Sequence, residues 1–164
     1  MIYEVKGDIL LSHAQVIAHG VAPNDHFDQG LALSLREQWP AMVKDYRHFC
    51  RAMPLKSGDT WVWSGAINKR IVNLLTHEAL HSQHNKSGRA SAENISHALS
   101  ELRSLLENER FTSLALPRLA TGAGGMDWQV VRPLIEHHLG ELALPIYIYT
   151  QYEKGIQAAE PRPR

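Results

Sequence analysis

Residues 114–128, LALPRLATGAGGMDW, contain the residue types and spacing best suited to chemistry in this chain. A strand-like run ends at Pro117, a glycine-rich stretch covers residues 121–125, and a helix begins near Asp127. Glycines between a strand and a helix N-terminus let backbone N–H groups converge on an anion without interfering side chains. The segment predicts a phosphate-binding loop, although similar turns also occur where a helix and a strand merely pack closely.

Two further segments leave predicted strands in the same way. A polar loop runs from the strand at residues 16–19 to a helix that begins near Gly30, and Gly7-Asp8-Ile9 follows the first strand. Ligands of open α/β sheets bind beyond the carboxyl ends of the strands. Together with residues 121–125, these segments could surround one elongated ligand.

Two common nucleotide-binding patterns do not fit the glycine-rich stretch. It lacks the Gly-Lys-Ser/Thr ending of a nucleoside-triphosphate loop. Gly122-Ala123-Gly124-Gly125 also misses the GxGxxG spacing, and it follows a late strand instead of the first one. Neither family is therefore expected.

His77-Glu78-Ala79-Leu80-His81 matches the HExxH pattern of zinc peptidases. That pattern requires a helix, which places both imidazoles on one face with the glutamate as general base. Here it follows a strand and runs into Ser, Asn and Gly residues typical of a loop, and His84 would complete a three-histidine site only if the segment folded back. We expect a solvated loop and no metal site.

The rest of the chain alternates strands and helices that position these loops. The predicted strands are residues 2–6, 16–19, 60–64, 70–75, 113–116 and 145–150, and the predicted helices begin near Leu31, after Pro40, after Ser91 and after Asp127. The helix after Ser91 has an apolar stripe that includes Ile95, Leu99 and Leu102 and must cover other structure. The pattern predicts an α/β fold in three layers.

Composition limits the class of protein. The 164 residues fit one domain, and 17 Lys plus Arg balance 17 Asp plus Glu. A balanced charge disfavours nonspecific nucleic-acid binding and docking on a membrane surface. A single cysteine excludes an internal disulfide, and the N-terminus does not resemble a signal peptide, so a cytoplasmic protein is expected. Residues 1–152 are the predicted domain, and residues 153–164 a polar, flexible tail.

The ordered set of motifs resembles the macro domain family, which recognises ADP-ribose. The set comprises Gly7-Asp8-Ile9, Ala18-His19, Gly30-Leu31-Ala32, Asn73 to Thr76, and residues 117–128, and it covers nearly all of residues 1–152. The similarity is closest to a branch with three kinds of member: terminal ADP-ribose glycohydrolases, antitoxin macro domains that remove ADP-ribose from DNA, and ADP-ribose 1''-phosphate phosphatases. It implies a three-layer α/β/α fold with a mixed, mostly parallel sheet.

The resemblance also implies a set of ligand contacts. Asp8 would accept a hydrogen bond from the adenine amino group, since a carboxylate is a pure acceptor, although it could instead only cap a turn. Residues 121–125 would wrap the diphosphate, Gly30 would admit the distal ribose, and Tyr149 or Tyr152 would lie against adenine or the proximal ribose unless they only pack. The implied set is Asp8, Ile9, His19, Phe27, Gly30, Leu31, Thr76, Thr121, Gly122, Ala123, Gly124, Gly125, Met126 and Tyr149.

The chain departs from the family pattern around the distal ribose. His19 stands where many macro domains have Asn, and Phe27-Asp28-Gln29-Gly30 replaces Met-Gly-x-Gly. The catalytic lysine of the glycohydrolases in this branch corresponds to His77, and an acidic residue of the terminal glycohydrolases corresponds to Gly124. Asp127 lies nearby, but its place at a helix start favours a capping role.

Two functions follow from the resemblance. The first is hydrolysis of an ADP-ribosyl linkage to protein or nucleic acid, or of ADP-ribose 1''-phosphate, with His77, His19 or Asp28 orienting water. The second is a non-catalytic reader of ADP-ribose, which the missing lysine and acid favour. In either case we expect ADP-ribose or an ADP-ribosylated macromolecule as partner, no cofactor, and a monomer.

Overall fold

The computed structural model describes residues 1–65, 68–79 and 88–162 and shows a six-stranded sheet between two pairs of helices. The strands are β1 (Ile2–Gly7), β2 (Val16–Gly20), β3 (Thr60–Trp63), β4 (Arg70–Leu74), β5 (Leu114–Pro117) and β6 (Ile146–Tyr152). The helices are α1 (Gly30–Gln38), α2 (Pro40–Ala52), α3 (Ala92–Asn108) and α4 (Trp128–Leu139), with a 3-10 helix at Ile9–Leu11. Within the described residues, no helix combines the length and apolarity needed to cross a membrane.

The strand order is β1-β6-β5-β2-β4-β3, and every neighbouring pair is parallel except β3 with β4. The expected mixed, mostly parallel sheet is therefore confirmed. Because β1, β6, β5 and β2 all run in one direction, their carboxyl ends meet at one edge of the sheet. The loops singled out in the sequence begin at that edge.

Side chains of each strand alternate between two hydrophobic cores, one on each face of the sheet. In β2, Val16 and Ala18 face the core under α3 and α4, whereas Ile17 faces the core under α1 and α2. The first core contains Leu99 of α3, and the second contains Tyr46 of α2. Helices on both faces of the sheet confirm the three layers.

Two helices begin at the residues expected from the sequence. Ser91 accepts a hydrogen bond from the Asn94 amide at the start of α3, and Asp127 accepts one from the Gln129 amide at the start of α4. At α1, in contrast, Gln29 makes no side-chain capping bond. The first backbone amides of α1 are therefore available to other acceptors.

The C-terminal segment, residues 153–162, lies against the domain, whereas its composition predicts a flexible end. The Asp8 amide donates to the Ile156 carbonyl at 2.7 Å, and the Glu153 amide donates to the Gly7 carbonyl at 3.1 Å. Ala158 is buried in the core under α1 and α2. The segment is thus in contact with the carboxyl end of β1.

Candidate functional site

An elongated crevice lies at the carboxyl ends of the parallel strands. It consists of two cavities of about 270 and 330 Å³ that share Gly30, Leu31 and Pro117. The first, here the loop cavity, is lined in addition by His19, Gly20, Asp25, Gln29, Ala32, His77, Arg118, Leu119, Ala120, Gly122 and Ala123. The second, here the tyrosine cavity, is lined in addition by Ile9, Ser34, Tyr149 and Tyr152.

Backbone amides of the glycine-rich loop form one side of the loop cavity. The loop is folded on itself, because the Gly125 amide donates to the Gly122 carbonyl and the Met126 amide to the Ala120 carbonyl, both at 3.0 Å. The amides of residues 121–124 donate to no acceptor among the described residues. Gly124 is buried, and a buried N–H group without a partner is costly. Of these residues, Gly122 and Ala123 line the loop cavity, where an anion can accept hydrogen bonds from their amides.

The N-terminus of α1 forms the opposite side. Gln29, Gly30 and Ala32 line the loop cavity, and the first amides of a helix carry a partial positive charge. Gly30 has a φ of +62°, a conformation that favours glycine. Two groups of N–H donors thus face each other across the crevice.

Arg118 adds a full positive charge to this wall. Arg118 is one of the residues that line the loop cavity, and its guanidinium makes a cation–π contact with Trp128, 5.6 Å from the ring centre. Together with the two groups of amides, this charge makes the loop cavity suited to an anion such as a diphosphate.

His19 is a neutral hydrogen-bond acceptor at the base of the loop cavity. Its Nε2 lies 2.6 Å from Asn73 Oδ1, and the Asn73 amide nitrogen donates to the Trp61 carbonyl at 3.3 Å. That second bond turns the Asn73 nitrogen towards Trp61 and leaves its oxygen as the acceptor facing His19. His19 Nε2 therefore carries the proton and donates, and Nδ1 carries the lone pair. Burial lowers the pKa of His19 to about 4. The ring therefore stays neutral at physiological pH.

His77 lies beside His19 in the same wall and is 7% exposed. Its Nδ1 is 2.8 Å from the hydroxyl of Thr76, which is fully buried and has no other hydrogen-bond partner among the described residues. The tautomer of the ring sets the direction of this bond: with Thr76 donating to Nδ1, the ring proton resides on Nε2. Burial lowers the pKa of His77. His77 is therefore a neutral hydrogen-bond donor.

Asp25 is a functional candidate that the sequence analysis missed. It lines the loop cavity, and its carboxylate accepts the amides of Ala22 at 2.8 Å and of Phe27 at 2.9 Å. Burial lowers the pKa of both His19 and His77, and the Asp25 charge opposes both shifts because it lies close to the two rings. The local sequence indicates only that Asp25 starts a tight turn, Asp25-His26-Phe27. In the structure Phe27 has a φ of +55° in this turn.

The carboxylate of Asp8 lies beside the tyrosine cavity, next to its lining residues Ile9 and Tyr152. Its Oδ1 accepts the Leu10 amide at 3.0 Å, and its Oδ2 accepts the Gly155 amide at 2.9 Å. Burial raises the pKa of Tyr152, and the nearby Asp8 charge adds to that shift. Asp8 therefore caps the 3-10 helix and also lies next to the wall of the tyrosine cavity, with lone pairs left on both oxygens.

Most residues implied by the resemblance lie at or behind the crevice walls. Ile9, His19, Gly30, Leu31, Gly122, Ala123 and Tyr149 line it, as does His77. Thr76 and Gly124 are buried directly behind the His77 ring. The Tyr149 hydroxyl donates to Glu160 at 2.7 Å, so only the ring is free to face a ligand. Thr121, Gly125 and Met126 belong to the same folded loop.

Phe27, which belongs to the implied set, and Asp28, a catalytic candidate, lie elsewhere. Phe27 is fully buried in the core, where its ring packs 5.8 Å from His19 and 5.4 Å from Tyr46. Asp28 is exposed on the loop before α1. Phe27 thus supports the wall from behind through His19, and direct ligand contacts of these two residues stay predictions.

The described part of the HExxH motif is not helical. His77 forms an isolated antiparallel bridge with Ala90, while Leu80, His81 and His84 lie outside the described residues. In the described ranges, no three or more His, Cys, Asp or Glu side chains are grouped so as to hold a metal ion. The bridge removes the helical context that the zinc-peptidase pattern requires.

We expect acid to destabilise the protein through His19. Its pKa is about 4 in the folded state and 6.5 when exposed, so between these values only the unfolded chain binds the proton. Stability is therefore complete above pH 6.5 and falls as the pH drops towards 4, by about 3 kcal/mol for this group. Urea unfolding from pH 7 to 4 measures the effect, which His19→Asn should reduce by about that amount. An identical pH dependence in the variant would contradict the assignment.

Comparisons with known proteins find similar sequences and folds. A family model described as "Macro domain" matches residues 15–135. A curated relative from Thermosipho africanus, "DNA ADP-ribosyl transferase-DNA ADP-ribosyl glycohydrolase fusion protein", is 27% identical over 98% of this chain. This chain spans 44% of that relative's length.

Solved structures share the fold. The DarG macrodomain of Thermus aquaticus has a TM-score of 0.80 at 24% identity, covering 92% of this chain and 98% of its own. That of Mycobacterium tuberculosis has a TM-score of 0.81 at 24% identity, covering 91% and 97%. Thermosipho africanus DarTG in complex with ADP-ribose has a TM-score of 0.80 at 22% identity, covering 95% of this chain and 42% of its own.

Proposed function

The chain belongs to the macro domain family, and from this premise we propose that the crevice binds ADP-ribose and that the protein hydrolyses a linkage at the distal ribose. The observation that carries the proposal is the pair of facing amide groups, from residues 121–124 and from the start of α1, with Arg118 beside them. These donors match a diphosphate. The rest of the crevice offers space for the two groups that the diphosphate joins, adenosine and the distal ribose.

ADP-ribose fits the crevice in one direction. Adenine would occupy the tyrosine cavity between Ile9 and Tyr152, with its amino group donating to Asp8. The distal ribose would then lie in the loop cavity, where His19 Nδ1 can accept a hydrogen bond from a ribose hydroxyl. The name of the curated relative makes ADP-ribosylated DNA the first substrate to test, ahead of ADP-ribosylated protein and ADP-ribose 1''-phosphate.

Hydrolysis at C1'' would use two groups of the loop cavity. A water oxygen bonds to C1'' while the bond to the leaving group breaks, and the leaving atom departs with the electron pair of that bond. Asp25 can accept the proton of the attacking water, since its carboxylate is the acidic side chain of the loop-cavity wall. His77, as a neutral Nε2–H donor, can stabilise the charge that develops on the leaving group. This assignment differs from the sequence prediction, in which His77, His19 or Asp28 orients the attacking water.

The test is calorimetric titration with ADP-ribose, followed by incubation with the three substrates. Saturable one-site binding and release of ADP-ribose from at least one substrate would support the proposal. An absence of binding would contradict it. The proposal includes a monomeric, cytoplasmic protein; the single cysteine, which excludes an internal disulfide, supports the compartment.

We expect Asp8→Ala to raise the Kd for ADP-ribose about tenfold to thirtyfold. A hydrogen bond to a charged group contributes about 1.5–2 kcal/mol, and the adenine amino group would lose its acceptor. Asp127→Ala is a matched control, because it removes a capping carboxylate of the same kind at α4, outside the crevice walls. Calorimetry on both variants measures the difference. Equal affinities of the two variants would exclude Asp8 as the adenine contact.

A second candidate function is non-catalytic recognition of ADP-ribose. It is favoured by Gly124, which supplies no carboxylate at the place where the resemblance implies an acid, and by His77 at the place of the lysine. Tight binding of ADP-ribose without turnover of any of the three substrates would support this function over hydrolysis.

A further inference from the structure

We infer that the C-terminal segment, residues 153–162, is a working part of the ligand site: it holds the Asp8 carboxylate in place and thereby makes the crevice select a base with an exocyclic amine. The inference rests on the proposed binding of ADP-ribose. It assigns a specificity role to residues that lie outside the matched family region, 15–135.

The first support is a reciprocal pair of hydrogen bonds between Asp8 and the segment. The Gly155 amide donates to Asp8 Oδ2 at 2.9 Å, and the Asp8 amide donates to the Ile156 carbonyl at 2.7 Å. Gly155 has a φ of +77°, which turns its amide towards the carboxylate and which other residues adopt only with strain. One of the two Asp8 oxygens is therefore oriented by the segment itself.

The second support is the close packing of the segment on β1. A Cβ at Gly7 would lie 2.8 Å from the Ile156 carbonyl oxygen and from the Ala158 amide nitrogen, and 2.9 Å from the Ala158 Cβ. Ala158 is 8% exposed. Backbone contact this close requires glycine at position 7, directly before Asp8, and fixes the path of the segment over the end of β1.

The third support is Glu160, which links the segment to residues 12–13 and to Tyr149, a residue of the tyrosine cavity wall. Its carboxylate accepts the Ser12 hydroxyl at 2.6 Å and the His13 amide at 3.0 Å, immediately after the 3-10 helix that Asp8 caps. It also accepts the Tyr149 hydroxyl at 2.7 Å, and the Tyr149 ring is a wall of that cavity. Removing Glu160 releases all three bonds at once.

The consequence for specificity follows from the Asp8 lone pairs. A carboxylate has about four acceptor positions, and the Leu10 and Gly155 amides use two of them. The remaining positions can accept an exocyclic amine but repel a carbonyl oxygen. Adenine has the amine, and hypoxanthine has a carbonyl oxygen in the same place. A carboxylate held rigidly by Gly155 therefore discriminates between these two bases.

The experiment measures the Kd values of ADP-ribose and inosine diphosphate ribose by calorimetry for the full chain, for Glu160→Ala and for Glu153→Ala. Glu153 is the matched control, because among the described residues its carboxylate accepts only from the exposed Gln151 amide, at 3.4 Å, and its bond to Gly7 is made by the backbone amide, which alanine keeps. We expect the unmodified protein to prefer ADP-ribose at least tenfold. Glu160→Ala should raise the Kd for ADP-ribose about fivefold and change that for inosine diphosphate ribose less than twofold, while Glu153→Ala changes neither.

Each other outcome overturns a defined part of the argument. Failure of the unmodified protein to bind ADP-ribose overturns the proposed function and this inference with it. Binding of ADP-ribose with an unchanged preference in Glu160→Ala overturns the inference alone. A parallel loss of affinity for both ligands, or a lowered Tm without a change in preference, assigns Glu160 a structural role only and also overturns it.

Discussion

Replacing Gly122 by valine should raise the Kd for ADP-ribose at least about 100-fold while leaving the fold intact. Gly122 lines the loop cavity, and a Cβ added there would meet no protein atom within 4 Å. Its backbone is also outside the left-handed region, so a side chain causes no strain. The valine would occupy space between the facing amide groups that a diphosphate needs. The loss of affinity would then come from the ligand site alone.

Calorimetry and urea unfolding check this prediction together. We expect the free energy of unfolding of Gly122→Val to stay within about 0.5 kcal/mol of the unmodified protein, as for most exposed positions. Gly124→Ala is the comparison variant, because its Cβ would lie 2.7 Å from the Ala120 carbonyl oxygen and 2.8 Å from His77 Nε2. That crowding should destabilise the fold by about 1–3 kcal/mol. Wild-type affinity in Gly122→Val would show that the loop does not hold the diphosphate.

Local patterns in the sequence were sufficient to predict the architecture. The alternation of β-branched runs with amphipathic stripes gave every strand and α-helix of the described residues, and Ser91 and Asp127 cap their helices as expected. These features depend on side chains a few residues apart, which periodicity detects directly. The glycine-rich loop was predictable for the same reason, because its function depends on the backbone and on the lack of side chains.

Features that depend on distant contacts were not predictable in this way. Asp8 accepts the amide of Gly155, which lies 147 positions further along the chain, and Glu160 binds Ser12 across 148 positions. A Pro-rich, charged segment such as residues 153–162 predicts a flexible end, because composition carries no information on which carboxylate meets which hydroxyl. Asp25 was missed for a similar reason, since its importance depends on its proximity to His19 and His77.

The structure connects the two departures from the family pattern. A Cβ at position 124 would lie 2.8 Å from His77 Nε2. The imidazole at position 77 and an acidic side chain at position 124 would therefore compete for the same space. Glycine at 124 is what makes room for the buried ring. The two positions at which the chain departs from the family pattern are therefore neighbours in the structure, and the side chain found there is a neutral imidazole.

The second large effect is expected from replacing His77. We expect His77→Ala to lower the turnover of ADP-ribosylated DNA about 100-fold while the Kd for ADP-ribose changes less than threefold. Removal of one preorganised hydrogen-bond donor from an active site typically costs this much in kcat. Single-turnover rates and calorimetry separate the two quantities. A Kd that rises as much as kcat falls would assign His77 to ligand binding alone.

The variant His77→Gln distinguishes between two roles of His77, hydrogen-bond donor and general base. The glutamine amide can supply an N–H group near the position of Nε2, but it cannot take up a proton. If His77 acts as a neutral donor through Nε2, with the Thr76 hydroxyl donating to Nδ1, glutamine should restore turnover to within about tenfold of the unmodified protein. If His77 were the general base, glutamine would be as inactive as alanine. Equal inactivity of the two variants would therefore return His77 to the role of base, and Thr76 would then have to accept a hydrogen bond from Nδ1.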